Sequence, residues 1–81
     1  MPKIIETDNF KGIKNKLDAS YLLRLEKLIR KLIGNPEIGK PMRNVRKGTR
    51  EVYTGSFRLS YLFDKNTDTI FLLDFYHNDE Q

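Results

Sequence analysis

A chain of 81 residues has room for one domain, and the absence of cysteine excludes a disulfide framework, a thiol nucleophile and a thiolate metal site. Its single histidine, His77, excludes a zinc centre built from His and Cys, so neither metal nor cofactor is expected. Uncharged runs such as residues 69–73 fall far short of the roughly 18 apolar residues of a membrane span, and no signal-peptide pattern opens the chain. A soluble, cytoplasmic protein is expected.

The β-branched run from Lys3 to Thr7 predicts a first strand. Asp8 can cap a helix through Leu17, in which Phe10, Ile13 and Leu17 stripe one face. Asp18 or Ser20 can cap the clearest element, over residues 19–33. There Leu22, Leu25, Leu28, Ile29, Leu32 and Ile33 recur at helical period, with Arg24, Lys27, Arg30 and Lys31 on the other positions. Gly34 is expected to supply a left-handed stop, and Pro36 forbids continuation. A surface loop follows, punctuated by Pro36, Gly39 and Pro41.

From Arg50 the period becomes two. Glu51, Val52 and Tyr53 lead into a tight turn at Thr54, Gly55 and Ser56, and then a strand places Phe57, Leu59, Tyr61 and Phe63 on one face with Arg58 and Ser60 on the other. Residues 64–68 have turn chemistry, and residues 69–76 make a last strand rich in β-branched and aromatic side chains. The expected architecture is α+β, in the order β-α-α-β-β-β, with a mainly antiparallel sheet of three or four strands packed on a two-helix hairpin. Its core should hold Leu22, Leu25, Leu28, Ile29, Leu32, Leu59, Tyr61, Phe63 and Leu72.

Charge points to a partner. Residues 1–63 hold fourteen Lys/Arg against six Asp/Glu, whereas residues 64–81 hold Lys65 against five acids. Lys40, Arg43, Arg46, Lys47 and Arg50 form an acid-free run able to meet several phosphates, although a solvated loop has the same composition. On the face of the sheet away from the helices, Arg58 interrupts a hydrophobic strand. It is either a ligand-binding cation or the partner of Asp74 on the next strand. His77, at the end of the last strand beside Tyr76, is the side chain suited to proton transfer near neutral pH, or a plain strand-end residue.

Three segments together resemble the RelE/ParE toxin superfamily. Residues 35–42 (NPEIGKPM) resemble its "NP..GKPL" loop, residues 55–61 (GSFRLSY) its "G.YR..Y" strand, and residues 70–77 (IFLLDFYH) its final hydrophobic strand. The resemblance covers the whole chain in order. It implies a toxin held by a RelB-like antitoxin that, as RelE-type members do, enters the ribosomal A site and cleaves mRNA without a metal. Cleavage there proceeds by attack of the RNA's own 2′-hydroxyl. By the same resemblance Arg58 contacts the scissile phosphate, and Arg50 joins it at the catalytic site. Lys40, Arg43, Arg46 and Lys47 hold flanking phosphates, and His77 serves as acid or base.

Asn78 stands where RelE-like members often carry arginine, and Met42 where a related branch carries a glutamate base. Tyr76, Tyr53 and Asn78 remain as auxiliary candidates, and a weak nuclease is one consequence. Two other readings compete: a ParE-like inhibitor of gyrase, and a non-catalytic RNA-binding module using Phe75 or Tyr76 as a stacking platform.

Overall fold

In a computed structural model that describes residues 1–42 and 48–77, the chain runs as β1 (Lys3–Glu6), α1 (Asp8–Lys14), α2 (Ala19–Gly34), β2 (Lys40–Pro41), β3 (Arg50–Thr54), β4 (Phe57–Asp64) and β5 (Thr69–His77). The class is the expected α+β. One strand is added to the expected set: Lys40 and Pro41, read from sequence as loop, pair antiparallel with Glu51 and Arg50. A two-residue strand containing proline carries no periodic signal, which is why the sequence hides it.

The sheet has five strands in the order β1-β5-β4-β3-β2. Four neighbours in chain order make antiparallel pairs, while β1 lies at one edge parallel to β5. The sheet is therefore mixed. The crossover through α1 and α2 returns the chain to the same sheet and leaves both helices over one face.

Local chemistry sets the helix ends. Thr7, in extended conformation, caps α1 by accepting from Phe10 N, a role the sequence assigned to Asp8. Asp18 caps α2 by accepting from Tyr21 N at 3.1 Å, as expected. Gly34 stays helical instead of turning left-handed; Asn35, with φ −153° and ψ 88°, ends the helix and Pro36 prevents its continuation. Although α1 stops at Lys14, Phe10 is fully buried, and Ile13 and Leu17 pack against the core as the stripe predicts.

The core lies between the helices and one sheet face. Leu25, Leu28 and Leu32 from α2 meet Leu59 and Tyr61 of β4 and Leu72 of β5, all as expected, joined by Phe10, Val52, Phe57, Ile70 and Phe75. Ile29 and Phe63 are partly buried against it, and Leu22 is half-buried. Each fully buried leucine contributes roughly 1.5–3 kcal/mol relative to exposure, so α2 is held mainly by these contacts.

A β-bulge re-aims β5. Ser60 lies opposite Asp74, but Tyr61 lies opposite Leu72, so Leu73 is the extra residue. The alternation therefore slips by one. Ile70 and Leu72 before the bulge, and Phe75 after it, are all buried on the helix side despite their broken period.

Candidate functional site

The register assigns each candidate to a face, because residues directly opposite each other on neighbouring strands share one. Tyr53, Arg58 and Tyr76 lie opposite one another across β3, β4 and β5. Lys40, Glu51, Ser60 and Asp74 form the next row, across β2 to β5. Both rows are on the face without helices. Its far end, at Ile5 and Phe71, is apolar.

Glu51 is the centre of this cluster. It is only 1% exposed, and a buried carboxylate is costly unless its oxygens are paired. Tyr76 Oη donates to its Oε2 at 2.5 Å, and Tyr53 Oη approaches Oε1 at 3.5 Å. Arg58 Nη1 stands 3.6 Å from the same Oε1. The Arg58 guanidinium also lies over the Tyr53 ring, 5.0 Å from its centroid, so the ring steers the cation along the face. The salt bridge of Arg58 is to Glu51 and not to Asp74, because the turn at residues 65–68 and the bulge place Asp74 opposite Ser60.

Burial raises the Tyr76 phenol above its ordinary value, and the Glu51 carboxylate raises it further through its hydrogen bond and its charge, with Arg58 opposing. Tyr76 is therefore a neutral hydroxyl near neutral pH, its hydrogen committed to a carboxylate and its oxygen hydrogen-bonded by Arg58.

Arg50 is on the other face. It lies opposite Tyr61, and its Nη1 donates to the backbone carbonyls of Glu37 at 3.1 Å and Gly39 at 2.9 Å, with the Glu37 carboxylate 3.8 Å from Nη2. Tyr61 Oη completes the arrangement by donating to Pro36 O at 2.8 Å and accepting from Gly39 N at 2.9 Å. A Cβ on Gly39 would come within 2.7 Å of Tyr61 Oη, so only glycine fits there. This arginine stitches the loop at residues 36–39 to the sheet, on the face opposite to Arg58.

His77 also departs from the expected grouping. It lies opposite Phe57, and its ring stands edge-on to Phe57 at 5.1 Å and 85°. Phe57 stacks on Phe75 at 5.0 Å and meets Tyr21 of α2 at 4.8 Å. His77 thus caps an aromatic row on the helix side, while Arg58, the residue after Phe57, points to the opposite side. The structure does not bring the two together. Phe75, a stacking platform in the binding-module reading, is buried in the same row at 3% exposure.

Among the remaining candidates, Lys40 is exposed at the margin of the Glu51 row. Arg43, Arg46, Lys47 and Asn78 lie outside the described residues. Among the described residues, no group of three or more His, Asp or Glu is placed to hold a metal ion. Sequence reasoning missed Glu51. The signal was available, since a tight turn after Thr54 sets Tyr53 against Arg58, and alternation then puts Glu51 on their face.

An α+β domain with two helices on one side of a five-stranded mixed sheet is the fold of the RelE toxin structures. Residues 7–81 match the family described as the ParE toxin of type II toxin–antitoxin systems, and the chain belongs to that family. The fold is shared with the toxin–antitoxin complex RelBE2 from Mycobacterium tuberculosis. The match has a TM-score of 0.85 and 26% identity over 95% of this chain and 99% of that one. The isolated RelE toxin of E. coli has the same fold, with a TM-score of 0.82 at 14% identity over 95% of this chain and 84% of that one. A conserved hypothetical protein of Helicobacter pylori is more distant in shape, with a TM-score of 0.61 at 24% identity over 99% of this chain and 98% of that one. A comparison with the sequences of curated proteins finds no match. Among the described residues, no helix is long and apolar enough to cross a membrane.

Proposed function

We propose that this toxin is a ribosome-dependent endoribonuclease that cleaves mRNA in the A site and so stops translation. The observation that carries the reading is the uncovered face, where Arg58 stands beside a neutral phenol, Tyr76, bound to a carboxylate. A guanidinium can pair two phosphate oxygens at once and meet the charge that grows on a pentacoordinate phosphorus. The 2′-hydroxyl attacks phosphorus, the bond to the 5′-oxygen breaks, and a cyclic phosphate and a 5′-hydroxyl remain. Arg58 stabilises the transition state, with Tyr76 within reach of the same phosphate group. Lys40, together with Arg43, Arg46 and Lys47, supplies phosphate contacts along the RNA. Arg50 holds the loop that bears Lys40, and His77 supports the strand end from the far side.

Toeprinting of a translated mRNA with the purified protein tests this. The reading expects truncated mRNA ending within A-site codons. Intact mRNA together with inhibited supercoiling by gyrase would move the protein to the second reading, a ParE-like toxin. That reading is favoured by the family match and by the Glu51 carboxylate, which already balances the charge of Arg58.

In the cell the toxin is held by a cognate antitoxin, as RelBE2 is a toxin–antitoxin complex. A surface that attracts phosphates also attracts carboxylates, so an acidic antitoxin segment fits over the cationic margin of this face. Its affinity should fall as salt rises. Titration at two ionic strengths checks this, and an unchanged affinity contradicts it.

A further inference from the structure

We propose that Glu51 is the proton acceptor behind Tyr76. As the phenol oxygen takes the proton of the ribose 2′-hydroxyl, the phenol's own proton passes to Glu51 Oε2. The inference rests on the endoribonuclease reading and supplies what that reading lacks, a base. Met42 and Asn78 stand where relatives carry other side chains, and His77 faces the wrong side of the sheet for the Arg58 phosphate.

The geometry carries the inference in three steps. Glu51 is 1% exposed, beneath Tyr53, Arg58 and Tyr76, so it acts on substrate only through another group. The Tyr76 hydroxyl donates to that carboxylate, and with Arg58 hydrogen-bonded to the phenol oxygen one lone pair is left to accept a proton. A phenol alone is a poor base at neutral pH, but with its hydrogen already shared with a carboxylate it accepts a proton without becoming a cation. The raised affinity of Tyr76 for its proton agrees with a hydroxyl that stays neutral before and after transfer.

The balance is closed. The O2′–P bond forms and the P–O5′ bond breaks. The 2′ proton ends on Tyr76, the Tyr76 proton on Glu51, and the leaving 5′-oxygen takes a proton from water. Glu51 returns its proton to solvent through Tyr76 after product leaves. Among the described residues, the ionisable groups facing the carboxylate are Lys40 from β2, Tyr53 from its own strand, Arg58 from β4, and Tyr76 with Asp74 from β5. Two of these are cations, and Arg58 is the one in ion-pair contact with Glu51. Glu51 is thus a positioning and proton-accepting residue, not one that touches RNA.

The test is single-turnover cleavage of mRNA on programmed ribosomes, measured across pH for the parent protein, Glu51→Gln, Tyr76→Phe and the double variant, with ribosome binding measured alongside. Glutamine keeps an acceptor for the Tyr76 hydroxyl but takes no proton. Glu51→Gln and Tyr76→Phe should each slow cleavage by about 10²-fold or more, with ribosome binding unchanged. The double variant should be no slower than either single one, because the pair acts as a unit. The parent's loss of rate toward acid pH should vanish in Glu51→Gln. A Glu51→Gln protein with the parent's rate and pH profile overturns the inference while leaving the nuclease reading intact. Should Glu51→Gln not fold, Tyr76→Phe decides alone: a slow variant supports the relay, and a parental rate overturns it. A parent that leaves mRNA uncut overturns the nuclease reading and this inference with it.

Discussion

The two faces of the sheet use the same residue types for different work, and Arg50 and Arg58 show how. Both are arginines of one hairpin, each placed near a tyrosine and a glutamate. On the covered face, Arg50 gives its donors to the carbonyls of Glu37 and Gly39, and its neighbour Tyr61 is fully buried. On the uncovered face, Arg58 lies along an exposed tyrosine ring, in loose contact with a carboxylate. Hydrogen bonds to backbone commit Arg50 to structure, whereas Arg58 is held by side chains on a face that no helix covers. A basic residue near a toxin-like motif therefore says little until its face is known.

Substitutions on the covered face should cost stability. Leu25→Ala and Leu28→Ala remove fully buried leucines from α2 and should each cost about 2–5 kcal/mol. Chemical denaturation checks this, and a domain of this size has little reserve. Arg50→Ala strands the carbonyls of Glu37 and Gly39, and should cost about 1–3 kcal/mol by the usual penalty for unsatisfied groups. Arg58→Ala, on the other face, takes the cation from beside the buried Glu51 carboxylate, which keeps its Tyr76 hydrogen bond, and should lower the melting temperature by less than Arg50→Ala does. A melt in which Arg58→Ala falls further than Arg50→Ala breaks the comparison.

Tyr61 sharpens it through pH. Burial raises its phenol above the ordinary 10.0, outweighing the opposing effects of the Gly39 N–H and Arg50. The unfolded chain therefore loses this proton first as pH rises, so the stability linked to it is present below pH 10.0 and falls away above it. Tyr61→Phe should flatten the alkaline loss of stability while lowering stability at neutral pH, because Gly39 N loses its acceptor. Denaturation at neutral and alkaline pH measures both.

The smallest effect is at the cap of α2. Hydrogen bonds from Ser20 and then Tyr21 N hold Asp18 below the usual carboxylate range. Its lowered value adds stability above that range, lost as pH falls through the folded value. Asp18→Ala should melt lower than the parent at neutral pH, with the gap closing in acid.

The elements that were legible in the sequence carried strong local signals. The leucine repeat with Asp18 before it located α2, and the alternation from Phe57 to Phe63 around a tight turn located the hairpin. What escaped depended on partners distant in sequence. β2 exists because β3 pairs with it, the bulge at Leu73 moved Phe75 and His77 to the helix side, and β1 takes its parallel edge position by pairing with β5, the last strand of the chain. Arg58 was legible as an arginine in an apolar strand. For Glu51 the turn and the alternation give its face, but its place beneath Tyr76 depends on the pairing of β4 with β5.

The measurement that bears most directly on the division between faces is single-turnover mRNA cleavage on programmed ribosomes by Arg58→Ala and His77→Ala, each at a temperature where it is folded. Arg58 faces the proposed phosphate, whereas His77 packs edge-on to Phe57 on the helix side. The account predicts that Arg58→Ala loses about 10²–10³-fold in rate, the worth of one positioned charge-stabilising donor, while His77→Ala cleaves within about threefold of the parent. An inactive His77→Ala beside an unimpaired Arg58→Ala would contradict it and place the chemistry on the covered side of the sheet.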